Sequence, residues 1–249
     1  KGIFMNIVII GATSAIAHGV AKKYCSQKNS VFYLVGRSQD KLSAIADDLR
    51  VRGAQQVYTD ACLFTDVKQY QTLFSRILAS MKTLDIVLIA HGSLTHQERA
   101  EQDALYTFDE LHTNFTSVVG LGVVAAEQCK KQSSGTIAII GSVAGERGRQ
   151  SNYLYGAAKA GVTAFCSGLR NRLMPFNVHV LTILPGFVDT PMTAEIPKNF
   201  LFAKADDVGA AIVNAIEKKK NVLYTPFFWL YIMTIVKIIP EFIYKRLKT

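Results

Sequence analysis

The sequence is short of everything that would announce a metal centre, a disulfide framework or a fibrous chain. Its four cysteines, Cys25, Cys62, Cys129 and Cys166, are widely separated, with no CxxC pair and no Cys/His cluster at zinc spacing. No metal is therefore expected, and a reducing compartment, the cytoplasm, is the simple reading. Six prolines and 17 glycines in 249 residues exclude collagen-like and low-complexity chains. Charged residues are only 19% against 49% hydrophobic, which excludes disorder and suits one well-buried domain. Long apolar runs are missing too. Met5 to Ile10 runs straight into a glycine-containing turn without a small-residue cleavage site, so it reads as a first strand, with residues 1–4 additions ahead of a native start at Met5. The apolar stretch between Pro226 and Pro240 falls well short of the roughly twenty residues a membrane span needs.

A net charge of +9 invites a nucleic-acid reading, but its placement argues against one. Lys218, Lys219, Lys220, Lys237, Lys245, Arg246 and Lys248 crowd the end of the chain against the single acid Glu241, and they flank an apolar helix instead of tracking a groove. Nucleic acid is excluded and a membrane surface fits better. Tyr231, Thr234 and Lys237 form one polar stripe on that helix, Trp229 and Tyr231 suit a headgroup zone, and basic residues follow. The segment is expected to lie in a bilayer interface, cover a subunit contact or pack on its own core.

Elsewhere short β-branched runs alternate with amphipathic segments: NIVIIG, Ala15 to Ser26, VFYLVG, Lys41 to Arg52, QQVYT, Val67 to Met81, DIVLIA, Phe108 to Lys131, TIAIIGS, Tyr153 to Leu173, HVLTILPG, Asp206 to Lys219 and NVLY. Strands apolar throughout and separated by helices mean a parallel sheet covered on both faces. The expected architecture is α/β, one doubly wound domain over residues 1–225 with a tail helix at 226–249.

Three motifs carry chemistry. The first strand ends in GATSAIAHGVA, where Gly11 permits a tight turn and the next helix aims its N-terminal amides at an anion such as a pyrophosphate. The second strand ends in Gly36, Arg37 and Ser38 in place of a carboxylate. A guanidinium and a hydroxyl can hold a 2′-phosphate, which favours NADP(H) over NAD(H). In YLYGAAKAG, Tyr155 and Lys159 stand at i and i+4 on one helical face, and a neighbouring cation would pull the phenol's pKa toward working pH. Ser142, thirteen residues upstream of Tyr155, ends a strand at the sheet edge where ligands bind.

Together these residues resemble the short-chain dehydrogenase/reductase family from Met5 to about Tyr224. The resemblance implies a Rossmann domain with strand order 3-2-1-4-5-6-7 and a homo-oligomer, dimer or tetramer. It also implies that Tyr155 is the general acid in ketone reduction, Ser142 orients the carbonyl, Lys159 lowers the tyrosine pKa and holds the nicotinamide ribose, and Asn114 supports a proton-relay water. Cofactor contacts are implied at Gly11, Thr13, Ser14, Ala15, Ile16, Arg37, Ser38, Asp60, Ala90, Gly92, Tyr155, Lys159, Pro185, Gly186, Val188 and Thr190. Two departures stand out: the family's GxxxGxG is GxxxAxA here, and its NAG reads Ala90, His91, Gly92, with His91 expected to be structural. Within the family, SVAGERGRQSNYLYGAAKAG most resembles bacterial reductases such as decaprenylphosphoryl-2-keto-pentose reductase, and Arg147 and Arg149 could recognise a substrate phosphate there, although a solvated basic loop is the plainer reading. Three activities are consistent with the residues: an NADPH-dependent carbonyl reductase held near the inner face of a membrane for a lipid-linked or hydrophobic ketone, a soluble enzyme for small ketones, or a silent nucleotide sensor, which the intact tetrad disfavours.

Overall fold

The structure, a computed structural model, describes residues 4–27 and 29–247, so residues 1–3 and the tail's Lys248 lie outside it. Seven parallel strands form the main sheet: β1 (Met5–Ile10), β2 (Ser30–Gly36), β3 (Gln56–Ala61), β4 (Ile86–Ile89), β5 (Thr136–Ile140), β6 (His179–Pro185) and β9 (Val222–Thr225). Their spatial order is β3-β2-β1-β4-β5-β6-β9, the order expected from the sequence. The seventh strand takes the number nine because two short strands, β7 (Val188–Asp189) and β8 (Ala203–Lys204), pair separately before it.

Alternation along each strand feeds two cores. Ile7 and Ile9 of β1 face the helices α1 (Ala15–Ser26), α2 (Gln39–Val51) and α8 (Ala205–Glu217), whereas Val8 and Ile10 face α3 (Tyr70–Met81), α6 (Ser117–Gln132) and α7 (Tyr153–Leu173). Burial on both faces explains why the strands read as continuous apolar runs. On the first face α1 and α8 cross in near backbone contact: a Cβ on Gly209 would sit 2.5 Å from the Gly19 carbonyl carbon.

Two boundaries differ from expectation. The segment expected as one helix from Phe108 to Lys131 is α5 (Ala104–Leu111), one π-helical turn at His112–Thr116, and α6, following the short α4 (Gln97–Ala100). That wider turn holds Asn114, in keeping with the use of π turns at functional sites. Asp60, expected after the third strand, lies within β3.

The tail packs on its own domain. α9 (Trp229–Ile238) and α10 (Glu241–Tyr244) bury Trp229 and Met233 against Val143 and Leu184 in a third, smaller core. Trp229 is thus an interior residue, not a headgroup anchor. Arg147 clamps the two helices together. Its guanidinium donates to the Val236 and Ile239 carbonyls at 2.6 Å each and to Glu241 at 3.0 Å, and it covers the Tyr244 ring at 3.8 Å. Beside it, Glu146 accepts hydrogen bonds from the Tyr224 hydroxyl and the Lys237 ammonium, both at 2.7 Å. Arg147 is therefore neither solvated nor available to a substrate phosphate, because its donors close the carbonyl end of α9. The outer face of the tail stays exposed, at 63% for Tyr231, 61% for Ile235 and 72% for Ile238.

Replacing Arg147 with alanine leaves these carbonyls and Glu241 without their cationic partner. Arg147→Ala should lower unfolding stability by about 2 kcal/mol, read from the denaturation midpoint at unchanged slope.

Candidate active site

The carboxyl ends of β1, β4, β5 and β6 surround a cavity of about 600 Å³. One end is built from β1 and its turn. Gly11 holds φ at +87°, and a Cβ there would lie 2.4 Å from the His91 backbone nitrogen, so only glycine lets the two strand ends approach this closely. Thr13, Ser14, Ala15 and Ile16 line the wall, and no side chain caps the first turn of α1, whose amides remain for a ligand. Arg37 lines the same end. The cradle, the open helix terminus and the guanidinium fit a phosphorylated dinucleotide. Ser38 lies off the cavity and caps α2 instead, through a long contact from the Lys41 amide at 3.5 Å. Asp60 is not among the residues lining the cavity: its carboxylate accepts from Arg76 at 2.7 and 3.1 Å and from the Tyr33 hydroxyl at 3.0 Å.

The middle of the cavity joins β4, β5 and α7. Ser142, Tyr155 and Lys159 all line it, as do Ala90, Gly92, Pro185, Gly186, Val188 and Thr190. Tyr153, the other tyrosine of the motif, is 43% exposed outside. Lys159 is buried, and its ammonium donates to the Ile140 carbonyl at 3.1 Å while sitting 5.6 Å from the Tyr155 ring centre. Burial lowers its pKa to about 8. Burial likewise raises Tyr155 to about 12, against the effect of the Ser142 hydroxyl beside it.

Asn114 is fully buried just behind the wall. Its Oδ1 accepts from the Ser93 amide at 3.0 Å, and its Nδ2 donates to Ser93 Oγ at 3.2 Å and Glu110 Oε2 at 3.3 Å. Glu110 gathers this corner, accepting also from the Ser93 and Thr95 hydroxyls at 2.9 Å each. Sequence reasoning passed over Glu110, although it stands one helical turn before Asn114.

His91 is buried against the Phe64 ring, centres 4.5 Å apart. Ser117 Oγ donates to the Thr113 carbonyl at 2.9 Å, so His91 Nε2, 2.8 Å from that oxygen, carries the proton, and Nδ1 is a buried acceptor without a partner. Burial, with the cations Lys159 and Arg37 nearby, pushes its pKa down to about 3. The structural role expected for His91 agrees with these contacts.

Comparison with known proteins now decides the family. Residues 5–200 match the family described as short chain dehydrogenase. This chain belongs to the short-chain dehydrogenases. As an oxidoreductase of that family it is 31% identical over 241 residues to an uncharacterised oxidoreductase of Mycobacterium tuberculosis, covering 97% of this chain and 96% of that protein. An uncharacterised oxidoreductase of Streptomyces coelicolor is 28% identical over 242 residues, covering 97% and 95%. Among solved structures, a short chain dehydrogenase from Burkholderia cenocepacia in complex with NADP superposes with a TM-score of 0.84 at 20% identity, covering 99% and 98% of the two chains. One from Sphingobium yanoikuyae in complex with NADPH gives 0.81 at 21%, covering 96% and 97%.

The His91 pKa sets a pH dependence for this short-chain dehydrogenase. Below about pH 6.5 the unfolded imidazole takes up a proton that the folded one refuses, so the unfolded state binds more protons and stability falls as pH drops toward 3. Between pH 7 and pH 5 this should remove about 2 kcal/mol, and His91→Asn should abolish that part of the fall in denaturant titrations at the two pH values.

Proposed function

We propose that this enzyme reduces a ketone to a secondary alcohol with NADPH. The observation that carries the reading is the convergence of Tyr155, Ser142 and Lys159 on one cavity whose far end offers the open terminus of α1 and the Arg37 guanidinium. NADPH would be held by the α1 amides, Arg37 and the Pro185–Thr190 wall, and it supplies the hydride. The Tyr155 hydroxyl gives its proton to the carbonyl oxygen, Ser142 donates a hydrogen bond that orients that oxygen, and Lys159 holds a ribose hydroxyl. Asn114, fixed by Ser93 and Glu110, supports a water that returns the proton. Asp60 and Ser38 contribute indirectly, by fixing β3 and the start of α2.

A hydrophobic carbonyl substrate is favoured over a small polar one because Leu94, Phe187, Met192, Ile196 and Trp229 line the cavity beyond Tyr155. A lipid-linked keto-sugar is one member of that class, and the engagement of Arg147 by the tail leaves Arg149 as its sole candidate phosphate ligand in the loop. We further infer a peripheral contact with an anionic membrane at the inner face, supported by the exposed apolar side of α9 and by Lys245 and Arg246 after it. No helix among the described residues is long and apolar enough to cross a membrane. A homo-oligomer is supported by Leu105 and Phe108 of α5 and Val123 of α6, which stand 79%, 70% and 42% exposed. Four buried, unpaired cysteines accord with a reducing cytoplasm.

Tyr155→Phe should reduce kcat about a hundredfold or more on any ketone accepted by the wild type, followed as NADPH oxidation, with NADPH affinity nearly unchanged. Substantial residual turnover would assign the acid elsewhere. Arg37→Asp should weaken NADPH about tenfold or more and reverse its advantage over NADH in titration calorimetry, since a carboxylate repels the 2′-phosphate.

A further inference from the structure

The catalytic cavity does not end at Tyr155. A second compartment of about 460 Å³ adjoins it, sharing Leu94, Arg149, Asn152, Phe187 and Ile196 as common walls. From this waist it runs beneath the tail, lined by Val236, Ile239, Tyr244 and Leu247. The shared wall sets the polar Arg149 and Asn152 beside Leu94, Phe187 and Ile196, and the compartment beyond is mainly apolar, with Thr95, Ser151 and Tyr244 as its polar members. No carboxylate pairs with Arg149 among the described residues, and the partner found for its guanidinium is the Met233 sulfur at 3.4 Å. Asn152 Oδ1 is buried there without a hydrogen-bond partner, and so is Trp229 Nε1 on the cavity wall. Unpaired buried polar atoms are uncommon in folded proteins because each forfeits its hydration, so Asn152 Oδ1 in the shared wall points to a polar group that arrives with a ligand.

We propose that the second compartment receives the unbranched alkyl or acyl chain of an amphiphilic substrate, whose anionic group is held at the waist by Arg149. This deepens the ketone-reductase reading and rests on it for the word substrate; the binding claim stands separately. Val236, Ile239 and Leu247 offer no hydrogen bonds and desolvate whatever enters, which suits a chain, while Thr95, Ser151 and the buried, unpaired Tyr244 hydroxyl are the compartment's remaining polar groups. The Arg149 guanidinium suits a carboxylate or a phosphate, whose oxygens accept its paired donors. Asn152 Oδ1 is an acceptor and would take a hydroxyl adjacent to that anion. The tail is thereby a wall of the binding site as well as an appendage, and its length sets how much chain is covered.

The test uses the full chain with NADP bound and a series of straight-chain carboxylates from acetate to dodecanoate, with decanol as the uncharged control. Binding is read by calorimetry and by the emission of Trp229, the chain's one tryptophan, which lines the cavity. Affinity should climb about threefold for each methylene added until the compartment is full. Arg149→Gln should cost the carboxylates about tenfold and leave decanol unchanged. Leu247→Asp, at a site 41% exposed and so tolerant of substitution, should flatten the dependence on chain length. Affinity that is flat from acetate to dodecanoate in the wild type, or a chain dependence indifferent to Leu247→Asp, would overturn the proposal. Reduction of butanone and of tridecanone is measured alongside. No turnover of either ketone with the chain dependence intact would count against the reductase reading alone, whereas turnover of both with flat binding would count against the compartment alone.

Discussion

Every strand of the main sheet runs in the same direction, and that constraint brings the whole site to one edge. Parallel strands put all their carboxyl ends, and the amino ends of the helices that follow, on a single side of the sheet. Between β1 and β4 the winding reverses, and the loops there part to leave a crevice. Its floor is a contact between backbones: Gly11 after β1 meets His91 after β4 at a distance that no side chain at Gly11 would allow. The GxxxAxA pattern keeps that first glycine, and the alanines that follow it are tolerated because the critical approach is made at Gly11.

Charge burial then shapes what the crevice can do. Lys159 sits inside the wall with one carbonyl partner, and His91 sits close by as a neutral ring. Burial is the main reason the imidazole stays neutral, with the Lys159 and Arg37 cations adding to it, and burial likewise lowers the lysine pKa to about 8. Burial also raises the Tyr155 pKa to about 12, against the lowering effect of the Ser142 hydroxyl. The i and i+4 spacing put Tyr155 and Lys159 on one face but could not say where the ammonium would point. It donates to the Ile140 carbonyl and lies 5.6 Å from the Tyr155 ring centre.

The alternation of apolar runs and amphipathic segments was enough to read seven parallel strands, because two-sided burial leaves a continuous apolar signature in each strand, whereas their spatial order followed from the family resemblance and is the order found. Helix α7 begins and ends at Tyr153 and Leu173 as its periodicity indicates. What escaped notice depends on partners far apart in the chain. Asp60 matches a motif position, yet Arg76 on α3 and Tyr33 on β2 hold its carboxylate. Arg147 looks like a loose basic residue until α9 folds back and presents its last carbonyls. The π turn at Asn114 has no apolar signature either, since one extra residue in a helical repeat is smaller than the tolerance of the pattern.

The tail shows why a short amphipathic segment cannot be assigned from its own residues. Its polar stripe and terminal lysines suit a bilayer interface, and its outer face remains apolar and exposed. Its inner face, however, is part of the main domain. The Trp229 ring lies so close to Gly186 that a Cβ at that position would fall 1.9 Å from Nε1, and Phe187 meets the same ring edge-on with centres 5.6 Å apart. Gly186 and Phe187 follow β6 directly and form the wall facing Tyr155. Moving α9 would release that wall, and Glu146, through Lys237, and Arg147, through the Val236 carbonyl, tie α9 to the loop that begins at Ser142. Any surface that draws the tail outward therefore acts on the position of Ser142 through two side chains. Contact by the outer face and closure by the inner face are compatible only while α9 stays docked.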